Sequence, residues 1–158
     1  MSSCITVSDM TFQEALVIQI DDAYEDVWKY AGFIEDNLDY KPSDATRTPL
    51  QILQEVSTSP VALIGIIRNF KMPETFEEDP SLYAGLTSIA ACKEFFESHA
   101  GELKAAVLEF PSEKLTDTIE TPWGTFTWVQ FLSYLYWNPM WHAGQLAYIG
   151  MIHGDSRM

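Results

Sequence analysis

The sequence predicts an all-α fold: a four-helix bundle with a long crossover between its second and third helices. Three observations point there. Four stretches carry apolar residues at alternating three- and four-residue spacing, helix start signals precede three of them, and no segment alternates strongly enough to demand a sheet. At 158 residues the chain suits one domain, spanning 1–158, with a core large enough to need no staples.

The first helix begins at a capping box, Thr11-x-x-Glu14, and carries Leu16, Ile20, Ala23, Val27, Tyr30 and Ile34 at strict 4/3 spacing. Asp21, Asp22, Glu25, Asp26 and Glu35 form its polar face. The second starts with Thr48 as N-cap and Pro49 at the first helical position, and runs to about Phe70 through Leu50, Leu53, Val56, Leu63, Ile64 and Ile67. Residues 71–85 form an acidic connection with two prolines, long enough to suggest a crossover rather than a tight hairpin. The third helix spans about 86–110, with Ile89, Cys92, Phe96, Leu103, Val107 and Phe110 inward, and Pro111 stops it. Residues 112–125 read as extended chain or a turn, because Thr-Pro-Trp-Gly cannot continue a helix. The fourth starts at the capping box Thr127-x-x-Gln130 and ends by Gly154.

Composition narrows the function. With 23 acidic and 9 basic residues the net charge is −14, and no cluster of Lys and Arg is present to bind phosphate backbones, so no nucleic-acid partner is expected. The same charge disfavours anionic membranes. The longest apolar run, Val61–Ile67, is seven residues, against ~20 for a membrane span. The start lacks the basic and apolar regions of a signal peptide. Cys4 and Cys92 form no C-x-x-C pair, and a disulfide framework is not expected. The expectation is a soluble, cytoplasmic protein.

The chemistry concentrates in the fourth helix. Phe131, Leu135, Asn138, His142, Gln145 and Ile149 are spaced 4, 3, 4, 3, 4, so three polar residues interrupt an apolar seam. A buried polar group without a partner costs roughly 1–3 kcal/mol, so a polar network, a ligand or a cavity is expected at this depth. His142 suits a metal ligand or a general base, or else a core histidine bonded to Asn138, Gln145 or a tyrosine. Pro139 would free the carbonyl of Leu135, and Pro60 that of Val56 on the second helix, so both helices either curve or splay there. Glu55 and Ser59 share a second stripe with Ile52, Leu63 and Ile66. Trp137 and Trp141 flank the cluster as pocket walls or core filling. His99 and His153 receive no role, His153 suiting the dipole at a helix end.

Two motifs carry a resemblance over nearly the full length. Arg47-Thr-Pro-Leu-Gln-Ile-Leu-Gln-Glu-Val opens the second helix, and Trp-Asn-Pro-Met-Trp-His-Ala-Gly-Gln-Leu (137–146) lies in the fourth. On these the chain resembles the DinB/YfiT-like family of metalloenzymes, with His142-Ala143-Gly144-Gln145 as the most specific element. The resemblance implies a four-helix bundle with a long crossover, a homodimer, and a divalent metal between the helices. It also implies thiol-dependent transferase or hydrolase chemistry, and no nucleic-acid binding. The three ligand positions fall on Glu55, Asn138 and His142, so two of the family's three histidines are absent. Such a set would hold nickel, zinc or manganese weakly.

Three functions follow. The favoured one is a small-molecule pocket lined by Gln145, Trp137, Trp141 and Ser59, with the metal site lost. The alternatives are a metal-dependent enzyme using Glu55, Asn138 and His142, and a structural dimerisation module.

Overall fold

The computed structural model describes residues 10–74 and 80–154. Cys4 and part of the acidic connection lie outside the described residues. Four long helices dominate: α1 (Phe12–Gly32), α2 (Pro49–Asn69), α3 (Ile89–Leu108) and α4 (Trp128–Ile152). Each starts where local chemistry satisfies its first amides. Thr11, Thr48 and Thr127 form complete capping boxes with Glu14, Gln51 and Gln130, and Ser88 accepts from the Ala91 amide. The described chain also contains a small sheet: β1 (Thr118–Thr121) pairs antiparallel with β2 (Gly124–Thr127), Ile119 opposite Phe126. This corrects the expectation of no sheet. Two four-residue strands are too short to show alternation, yet Pro122 and Trp123 between them, with Gly124 at φ 131°, make the turn.

The helices pack around one core, α1 on α4 and α3, α2 on α3 and α4. Contacts fix their sense. Gln54 Nε2 donates to the Leu86 carbonyl at 2.9 Å just before α3, while Arg68 near the end of α2 pairs with Glu102 further along α3, so these helices run parallel. α1 runs antiparallel to α3, with Gln13 bonded to the Phe110 carbonyl and Tyr24 stacked on Phe96 at 3.6 Å. α2 and α4 are antiparallel, since Glu55 meets His142 and Phe70 meets Trp128.

The hairpin docks the start of α4. The Trp128 and Val129 amides, which have no partner inside the helix, donate to the Asp117 and Leu115 carbonyls. Ile119 anchors the hairpin in the core. α2 ends on Phe70 at φ 53°, an uncommon conformation for a bulky residue, with its ring packed on Phe110 and Trp128.

Both internal prolines sit in unbroken helices. Pro60 removes the donor that would bond the Val56 carbonyl, and the buried Tyr24 hydroxyl from α1 supplies one at 2.7 Å. By length and composition α2 is apolar enough to cross a membrane, though its longest uninterrupted apolar run is short. Here more than half of its apolar window is buried in the protein, as in a core helix.

The α4 seam departs from the expected one. Phe131, Leu135, Asn138, His142 and Ile149 are buried, but Gln145 is exposed and Leu146 takes the inward position. With no Asp, Glu, Lys or Arg anywhere in α4, spacing alone does not distinguish adjacent registers.

Candidate functional site

Antiparallel packing of α2 on α4 sets Glu55, two turns into α2, across from His142. Glu55 Oε1 lies 3.2 Å from His142 Nε2, and His142 Nδ1 lies 2.7 Å from Gln145 Oε1 on the next turn. The guanidinium of Arg47, in the segment leading into α2, pairs with the other Glu55 oxygen. The result is a chain of four polar groups: Arg47, Glu55, His142, Gln145. It is graded in burial, the Arg47 side chain being 56% exposed, Glu55 24% and His142 6%.

Burial lowers the His142 pKa below its ordinary value of 6.5, the Arg47 charge adds to that, and the Gln145 contact opposes it. The lowered pKa favours the neutral ring at pH 7, whose single N–H has an acceptor oxygen on either side, Gln145 Oε1 at Nδ1 and Glu55 Oε1 at Nε2.

Asn138, one turn before His142, is buried, and its Nδ2 has no hydrogen-bond partner among the described residues. The expected trio is thus brought together in part: Glu55 and His142 touch, and Asn138 lies beside them with an unmet donor.

A cavity of about 650 Å³ opens beside the Arg47–Glu55 pair. α2 contributes Glu55, Ser59, Leu63 and Ile66 to its wall, α4 contributes Phe131, Tyr134 and Trp137, and the hairpin contributes Trp123 and Phe126. Ser59 and Trp137 therefore stand where a pocket-lining role needs them. Gln145 and Trp141 do not line this cavity: Gln145 braces His142 from the outer side, and Trp141 stacks on Trp137 with centroids 5.5 Å apart. Neither tryptophan fills the core, since Trp137 and Trp141 are 53% and 57% exposed. A second, shallower hollow of about 510 Å³ lies among Glu35–Tyr40, Leu50 and Thr87.

Sequence reasoning gave Arg47 no role, and overlooked Tyr134 and the hairpin aromatics. Arg47 carried a signal, eight residues before Glu55 at the mouth of the same helix. Trp123 and Phe126 reach the cavity only because the hairpin folds back against the start of α4. His99 bonds the Phe95 carbonyl in its own helix, and His153 caps α4 with its ring on Tyr40. Cys92 is a free, buried thiol.

Among the described residues no group of three or more His, Cys, Asp or Glu side chains is placed to share a metal ion. No family model matches the chain, and no curated protein matches it.

Proposed function

We propose that this protein binds a small organic molecule in the cavity between α2, α4 and the hairpin, and that it is a divergent member of the DinB/YfiT-like family whose metal site has been lost. The cavity beside the Arg47–Glu55–His142 chain carries this reading. It is of drug-ligand size, largely apolar, and has a few polar groups in its wall, Arg47, Glu55, Thr58, Ser59 and Gln130, the usual build of a ligand site. The parallel sense of α2 and α3 supports the family's topology. The end of α2 and the start of α3 lie toward opposite ends of the bundle, the arrangement that a crossover would join.

The divalent ion that such membership implies fits this donor set poorly. Glu55 and His142 are close enough to be neighbouring ligands, but among the described residues no third His, Cys, Asp or Glu side chain joins them. The third position, Asn138, offers only a neutral amide. We derive no step through a metal.

The reading includes a homodimer formed through α4. Tyr134, Trp137, Trp141, Gly144, Tyr148 and Met151 make an outward stripe at 3, 4, 3, 4, 3 spacing, and all six are exposed. Two copies at −14 each repel, and a face without charged residues is where they can approach.

The test uses the neutral dye N-phenyl-1-naphthylamine with the full chain, purified without chelator. The expected result is saturable binding of one dye per chain, abolished by Ser59→Trp, with no stoichiometric metal by elemental analysis. Absence of saturable dye binding overturns the pocket. Retained metal that Glu55→Gln releases would instead establish the family-type metalloenzyme.

A further inference from the structure

We infer that the cavity selects an apolar organic cation: an aromatic or branched aliphatic group bearing a protonated amine, which sits on the Glu55 carboxylate in place of Arg47. The inference rests on the small-molecule reading above and adds the chemical class of the ligand.

Three observations converge on it. The walls are unusually aromatic. Trp123, Phe126, Phe131, Tyr134 and Trp137 all border one cavity, and the face of an aromatic ring carries negative charge density that attracts a cation within about 6 Å. Glu55 supplies the anionic end. One of its oxygens is committed to the buried His142, while the other is held by a side chain that is itself more than half exposed. Arg47 reaches the carboxylate from the solvent side, so an incoming cation can take its place while the guanidinium stays hydrated.

The exchange is electrostatically even for one class of ligand only. An ammonium replaces the guanidinium on Glu55 charge for charge, and Arg47 swings into solvent. A carboxylate ligand would have to draw Arg47 away and leave its own charge beside that of Glu55, two anions at the mouth of a low-dielectric cavity. A neutral ligand gains the apolar wall but nothing from the carboxylate. At net −14, the field of the whole chain also draws cations in and repels anions.

The experiment displaces bound N-phenyl-1-naphthylamine with three probes of matched size: 4-phenylbutylamine, 4-phenylbutanol and 4-phenylbutyrate. The amine should displace the dye at a concentration about tenfold below the alcohol, with the carboxylate weakest. Glu55→Gln should bring the amine and alcohol together. Arg47→Met, which removes the competing cation, should tighten the amine further. An anion-binding site predicts the opposite response, because Arg47→Met would weaken the carboxylate and leave the amine alone. Equal displacement by amine and alcohol, or a preference for the carboxylate, overturns the inference while the dye result stands. Circular dichroism of each variant confirms folding, and since the two substitutions push the amine in opposite directions, a general loss of structure cannot imitate both.

Discussion

His142 is a base that folding weakens, and its surroundings say in which direction pH acts. Burial disfavours the imidazolium more than the neutral ring, so the folded-state pKa lies below the ordinary 6.5. Between those two values the unfolded chain binds more protons than the folded one, and stability rises with pH across that window. The contribution is fully present above 6.5 and is lost as pH falls through the folded value. Urea unfolding at about pH 7.5 and about pH 5.5 should therefore show a larger loss in the native chain than in His142→Gln. Equal losses would mean that the ring titrates as it does in water. At this scale the sequence was informative about which residues are unusual. Asn138 and His142 stand out because polar groups rarely occupy a seam, and both are buried. Gln145 as a partner of His142 was legible from local spacing and Glu55 from the family resemblance, whereas Arg47 was not, because its guanidinium comes from 95 residues away along the chain.

At the scale of elements, α2 shows how one helix repairs another. Pro60 leaves the Val56 carbonyl without its helical donor, and Tyr24 of α1 bonds it inside the core. Tyr24→Phe should cost about 1–2 kcal/mol, since it strands a buried carbonyl. In a Pro60→Ala background the N–H at position 60 returns, and the same substitution should cost clearly less. Denaturant unfolding of the four proteins measures the coupling. A cycle without coupling would show that the hydroxyl and the proline are independent. The freed carbonyl was predictable from Pro60 alone, by the covalent structure of proline. The hydroxyl that takes it was not, because it belongs to a helix joined to α2 by a loop of its own. The starts of α1, α2 and α4 were readable from Thr11, Thr48 and Thr127, where capping is a contest among neighbours three residues apart. The hairpin escaped notice because its stability comes from Ile119 in the core and from the α4 amides it bonds, not from its own pattern.

For the whole molecule the governing quantities are its charge and the uncharged outer face of α4. The proposed dimer through α4 predicts a light-scattering mass of about twice the 17.9 kDa chain. Trp141→Glu places a charge in the centre of the stripe and should return the monomer. A native chain that stays at 17.9 kDa throughout a concentration series would remove the dimer and leave the cavity untouched.

By itself, the sequence determined four amphipathic or apolar helices, the start points of three of them, and an unusual polar cluster in the last. Those features are local, set by side chains within a turn or two of one another. Only the tertiary structure decided that Glu55 would be shared between Arg47 and His142, that Gln145 would face out and Leu146 in, and that hairpin aromatics would wall a cavity. Each of these depends on which helix lies beside which and in what sense, and no spacing within a single helix records its neighbour's position.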